Sequence, residues 1–155
     1  MAYERALAPA RRRAAHLVTL LLGGCAAALL GGLSALHVYW AVRGGSSLGA
    51  VVPEVNGAPA FRPTKAATLA VAAALGAGSL LVVGALGGPG LVPVVLARGG
   101  CAVMALVFAA RTVGDFKHVG AFKRRRGTRF AYWDDRIYTP ISAGLAIATA
   151  VVAIG

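Results

Sequence analysis

Apolar residues run along this chain in four long stretches, with the polar and charged residues crowded between them. From position 14 to position 42 there are 29 consecutive residues without Asp, Glu, Lys or Arg. That exceeds the roughly 20 residues a helix needs to cross a hydrocarbon core. Three further stretches follow, giving predicted spans over residues 15–42, 66–86, 91–113 and 138–154. Gly87-Gly88-Pro89-Gly90 has room only for a tight hairpin between the second and third spans. Pro140 falls in the predicted first turn of the fourth, where a missing N–H is tolerated. The pattern predicts an all-α, polytopic membrane protein. It is a four-transmembrane-helix bundle forming one integral domain over 1–155, with residues 114–137 as a basic interfacial loop.

Composition supports that reading. Apolar residues make up 58% and charged residues 14% of 155, and the mean hydropathy is +0.73, too little charge to cover a water-soluble surface. A disordered chain, a soluble enzyme and a disulfide scaffold are disfavoured, the last because there are only two cysteines. Arg11, Arg12 and Arg13 ahead of an apolar run also resemble a signal peptide. The hydrophobic part of such a peptide is about 7 to 15 residues long, however, and further spans follow, so the first span is expected to stay uncleaved.

The 16 Lys and Arg against 5 Asp and Glu give a formal charge of +11. Four spans put the N-terminus, the Gly87 to Gly90 turn and Gly155 on one face, and the 43–65 and 114–137 loops on the other. The second face holds most of the basic residues. The positive-inside rule therefore predicts a multi-pass protein of the cell membrane with its long loops cytoplasmic, against the vote of the N-terminal arginines. Small residues recur every four positions at Gly24, Ala28 and Gly32, and again at Gly84 and Gly88. They either let helices approach closely, within the bundle or in a homo-oligomer, or simply follow from an Ala- and Gly-rich composition.

Nearly all the unusual polar and aromatic residues share the second face. His37, Tyr39, Trp40 and Arg43 close the first span, and Glu54 and Asn56 lie in the first loop. Arg111 and Asp115 close the third span, and Tyr132, Trp133, Asp134, Asp135, Arg136 and Tyr138 open the fourth. On a helix His37 and Trp40, three apart, share a face, as do Arg111 and Asp115, four apart. Arg98 and Arg111 are 13 residues apart, about 20 Å of helix against a core of roughly 30 Å, so one of them reaches into hydrocarbon or snorkels. Asp115 is the natural partner of Arg111. Such a partner would lower the carboxyl's pKa, which suits Asp115 as an orienting group as readily as an acid or base.

His37 admits three roles: a proton shuttle, a metal or haem ligand, or a hydrogen-bonded residue beside an interfacial aromatic belt. Haem would need a second histidine at the same depth, and only His118 is on that face, beyond the span. Cys25 and Cys101 have no CxxC spacing, and no Cys/His spacing suits zinc. Neither a metal nor another cofactor is expected. Lys123, Arg124, Arg125, Arg126 and Arg129, mixed with Phe116, Phe122 and Phe130, read as an interfacial segment meeting anionic headgroups. One short loop between spans does not make a nucleic-acid site.

The pieces His37-x-Tyr39-Trp40, Arg111-x-x-Gly114-Asp115-Phe116-x-x-x-Gly120 and Gly127-Thr128-Arg129-Phe130-Ala131, leading to Asp134 and Tyr138-x-Pro140, resemble a family of small four-span bacterial membrane proteins of unknown function. The resemblance covers nearly the whole chain. It implies the four-span fold and the importance of His37, Trp40, Arg111, Asp115, Asp134 and Tyr138, and it implies no reaction.

Two functions fit. One is a membrane-embedded enzyme acting by acid–base chemistry on a lipophilic or isoprenoid-like substrate. His37, Asp134 and Asp115 are its catalytic candidates, and Trp40, Tyr39, Arg111, Trp133, Tyr138 and Glu54 line its binding site. The other is a non-catalytic module, a binder of lipid or a small molecule or an accessory subunit, in which the same cluster is an interfacial hydrogen-bond network.

Overall fold

The computed structural model describes residues 2–44, 48–55 and 58–155; Asn56 lies outside the described residues. Helix α1 spans Ala2–Arg43, a short helix α2 spans Leu48–Val51, and strands β1 (Glu54–Val55) and β2 (Ala58–Pro59) form a small antiparallel hairpin. Helices α3 (Lys65–Ala85) and α4 (Val94–Val113) follow. Helix α5 (Arg129–Trp133) then runs through a π turn (Asp134–Tyr138) into α6 (Thr139–Ile154). Four helical segments are long and apolar enough to cross a membrane: Ala8–Arg43, Lys65–Ala85, Val94–Val113 and Arg129–Ile154.

Their ends follow from local chemistry. Gly44, at φ 81°, stops α1 and donates its N–H to the Trp40 carbonyl at 3.0 Å. Thr64 caps α3 by accepting from the Ala67 N–H at 3.1 Å. Pro93 occupies the N-cap of α4, which therefore starts at Val94 and not at the expected residue 91. Helix α1 begins well before the predicted residue 15, its Ala- and Arg-rich start being strongly helix-forming, and it carries Pro9 inside it.

The largest departure is in the fourth span. Thr128 caps a helix starting at Arg129, accepting from the Ala131 N–H at 3.0 Å, so helix precedes the predicted residue 138 by more than two turns. Pro140 is thus interior to a continuous helical run and not in a first turn. The chain meets it by widening: the Thr139 N–H bonds back to the Asp134 carbonyl in the π turn.

The four long helices pack as a ring, α1 against α3 and α6, and α4 against α3 and α6. Leu30, Val82, Cys101, Leu145 and Val152 form the buried centre, with alanines at 26, 27, 85, 97 and 148. Ser34 on α1 donates to the Ala72 carbonyl on α3 and Ser79 on α3 donates to the Ala27 carbonyl on α1, each at 2.8 Å. These reciprocal bonds fasten two helices where lipid supplies no hydrophobic drive. The closest glycine approaches between helices are at Gly23 on α1, against Val152 and Leu86, Gly78 on α3, against Met104, and Gly100 on α4, against Leu81. Gly24, Ala28 and Gly32 point away from the bundle into open space, whereas Gly84 does face α4, across from Ala97.

Candidate functional site

Asp134 is the only fully buried acidic residue among the described residues, at 0% exposure, and the π turn aims its side chain across the end of α4. Its Oδ1 accepts from Arg111 Nη2 at 2.5 Å. Its Oδ2 accepts from Lys123 Nζ at 3.0 Å and from the Gly120 backbone N–H at 2.9 Å. Lys123 is also completely buried, and its ammonium reaches the Gly120 carbonyl at 3.1 Å and bonds Asp135. Arg126 approaches Asp135 from outside, at 3.7 Å. Arg111, Lys123, Asp134 and Asp135 sum to zero charge, with Lys123 and Asp134 fully buried and Arg111 and Asp135 partly hydrated.

What brings Lys123 and Gly120 to Asp134 is the loop over residues 114–128. Gly114, at φ 89°, ends α4 and turns the chain back on itself. A Cβ on Gly114 would collide with the Val119 carbonyl, and one on Gly120 would lie 2.5 Å from the Gly114 Cα. Two backbones thus cross with no room for a side chain on either. Asp115 Oδ1 accepts three backbone N–H groups, from Lys117 at 2.9 Å, His118 at 2.6 Å and Val119 at 3.0 Å, which fixes the turn and its left-handed residue Phe116. Partial desolvation opposes ionisation of Asp115. The N–H groups of Val119, His118 and Lys117 and the His118 ring outweigh it, holding the carboxyl well below the usual carboxylate range. Thr112 and Lys117 carbonyls accept from Ala121 and Arg125 N–H at 2.8 and 2.9 Å and close the loop.

The expected Arg111–Asp115 pair is therefore not formed. Gly114 breaks the helix between them, Asp115 turns to its own loop, and Arg111 finds Asp134, 23 residues away. Lys123, expected among the headgroup ligands, is drawn inside to Asp134, while Arg124, Arg125, Arg126 and Arg129 stay exposed. Phe116 and Phe122 flank that basic surface, both exposed and with ring centroids 6.4 Å apart.

The other candidates are placed around this core without joining it. His37 is half-buried, its Nδ1 bonded to the Leu33 carbonyl at 2.8 Å and its ring edge-on to Trp40 at 5.1 Å. Among the described residues no hydrogen bond or ion pair joins His37 to Asp134 or Asp115. Tyr39 is exposed. Trp133 stacks edge-on with Tyr132, whose ring carries the Arg136 guanidinium 4.0 Å above it. Tyr138 reaches the other loop, donating to the Ala50 carbonyl in α2 at 3.1 Å. Glu54 is half-buried in β1 and forms no ion pair among the described residues. Among those residues no group of three His, Cys, Asp or Glu side chains is arranged to hold a metal ion.

The Gly114-to-Gly120 spacing stands in the sequence, but nothing local marks the Gly120 N–H as a ligand of Asp134. Nor does anything local mark the second cation that adjacent aspartates at 134 and 135 require.

The motif pieces, from His37 to Pro140, all lie within residues 30–149, which match a single family model. The chain belongs to DUF3995, a family of proteins of unknown function. The DUF3995 match takes in the whole Asp134 cluster and its loop, and leaves out the first two thirds of α1. No curated protein and no solved structure matches the chain.

Proposed function

We propose that this DUF3995 chain is a non-catalytic membrane module whose 114–129 segment binds anionic lipid headgroups. The observation that carries this reading is that the acidic groups acid–base chemistry would use are already engaged in building the loop. Both oxygens of Asp134 are occupied by Arg111, Lys123 and Gly120, and Asp115 Oδ1 is taken by three N–H groups of its own turn, with Oδ2 turned to the His118 ring at 3.3 Å. What the loop offers outward is Arg124, Arg125 and Arg129 beside two exposed phenylalanines, the mix that sits at a headgroup boundary. The excess of Lys and Arg on this face supports its assignment to the cytoplasm, where the leaflet is anionic.

The test is lipid retention by the purified chain from mixed phosphatidylglycerol and phosphatidylcholine nanodiscs. The triple substitution Arg124→Gln, Arg125→Gln, Arg129→Gln should abolish the preference for phosphatidylglycerol at the loop face and leave the helices folded. Unchanged retention overturns the reading.

A second reading is favoured by His37. Bonded through Nδ1 alone and packed on Trp40, it keeps Nε2 for a proton transfer to a lipophilic molecule. Lipid extracts from cells expressing the intact chain and His37→Ala at matched levels separate the two. Matching extracts uphold the binding module, and a metabolite made only by the intact chain establishes the enzyme.

A further inference from the structure

At the opposite end of the bundle lies a second site that the loop does not reach. A cavity of about 480 Å³ opens between the start of the apolar part of α1, the α3–α4 turn and the end of α6. Arg12 and His16 from α1 and Arg98 from α4 face it, with Leu20, Leu86 and Val94 forming an apolar wall. Gly155 completes the lining, and no Asp or Glu side chain contributes to it among the described residues.

Arg98 lies about 6 Å into its helix, four residues past the first. Its Nε is buried and has no hydrogen-bond partner among the described residues. Neither Arg98 nor Arg12 forms an ion pair there. A guanidinium at this depth needs a counter-charge. The other arginine of the same helix, Arg111, gets one from Asp134; for Arg98 the described chain supplies none.

We infer that this cavity binds a phosphate oxyanion, held between the Arg98 fork and Arg12 with His16 alongside. Planar guanidinium donors match phosphate oxygens in pairs. The apolar wall then receives whatever hydrocarbon is attached. The same chemistry is offered by a phospholipid headgroup and by free phosphate. This site is independent of the loop proposed above, since its residues come from the other ends of the helices.

The experiment uses the full chain in neutral detergent and measures thermal stabilisation by phosphatidylglycerol, by phosphatidylcholine and by inorganic phosphate. Native mass spectrometry counts retained lipid in parallel. Phosphatidylglycerol acting at far lower concentration than inorganic phosphate identifies a lipid site, and equal potency identifies a free-anion site; both support the inference. Read in the Arg124→Gln, Arg125→Gln, Arg129→Gln background, which removes the loop's own headgroup contribution, Arg98→Gln should weaken the effective ligand about tenfold or more. Should Arg98→Gln fail to fold, Arg12→Gln with His16→Gln, at exposed positions, carries the same test. Stabilisation equal with phosphatidylcholine, absent with both phosphate probes, or untouched by these substitutions overturns the inference.

Discussion

Replacing Asp134 by Asn removes one negative charge from a set of four ionised groups, of which Asp134 and Lys123 are fully buried, while leaving the volume filled. Asn keeps a single carbonyl oxygen for three donors, and its amide N–H2 must face at least one of them. Arg111 at 31% exposure recovers some hydration, but Lys123 at 0% cannot. Breaking a buried pair from one side costs about 3–5 kcal/mol. Lys123 retains Asp135 and the Gly120 carbonyl, which puts the expectation near the lower end, about 3 kcal/mol, or roughly a hundredfold in the folding equilibrium. Lys123→Met leaves Asp134 with Arg111 and Gly120, and should cost about 2–3 kcal/mol. Because the two residues share one network, the double variant should be less destabilised than the sum, by about 1–3 kcal/mol. Unfolding by dodecyl sulfate in mixed micelles, followed by Trp133 and Trp40 fluorescence, measures all three. A cost below about 1 kcal/mol for Asp134→Asn, or strictly additive costs, would refute a buried electrostatic keystone.

Three further outcomes follow from the same geometry. Gly120→Ala should destabilise far more than Gly127→Ala, although both sit near φ 86–89°. The first Cβ meets backbone and the second meets nothing within 4 Å, so Gly127→Ala costs only the left-handed strain of about 1–2 kcal/mol; equal losses in thermal midpoint would contradict the crossing. Asp115 has a lowered folded pKa, so its contribution is complete above the ordinary carboxylate value of about 3.9 and is lost as pH falls through the folded one. The midpoint difference between the intact chain and Asp115→Asn should therefore shrink on acidification below that value, and a difference that grows is the adverse result. Tyr138→Phe deletes the bond to Ala50, about 1 kcal/mol, and should speed amide exchange in α2; unchanged exchange there would mean that contact does not hold the first loop.

The spans were legible because each is an unbroken apolar run and lipid leaves the backbone little choice but helix. The pairing within the site was not. Spacing on an ideal helix joins Arg111 to Asp115, and that rule fails at one residue, Gly114, whose φ of 89° takes Asp115 off the helix. Lys123 stands first in a run of four basic residues, and nothing local separates the one that turns inward from the three that do not. The selection is tertiary: two adjacent aspartates in a π turn need a second cation, and the loop closed by Gly114 and Gly120 delivers this one. The π turn itself was hidden because Arg129 to Ile137 mixes charge with aromatics.

The contrast between Arg98 and Arg111 decides how the two ends of the bundle are read. Both sit on α4, 13 residues apart, about 20 Å of helix against a core of roughly 30 Å, so the two cannot both lie clear of the hydrocarbon. At one end the chain bends a loop, crosses two backbones and buries a lysine to surround a carboxylate with donors. At the other end the guanidinium faces a cavity beside Arg12 and His16, with no acidic side chain lining it among the described residues. A neutralised arginine marks a structural joint, and an unneutralised one marks a place for an anion from outside the chain. Arg98→Gln should therefore be close to neutral for stability in anion-free neutral detergent and costly where a phosphate ligand is present, whereas Asp134→Asn should be costly in both. If Arg98→Gln instead destabilises equally with and without ligand, the guanidinium is held by the chain itself and the asymmetry between the two ends fails.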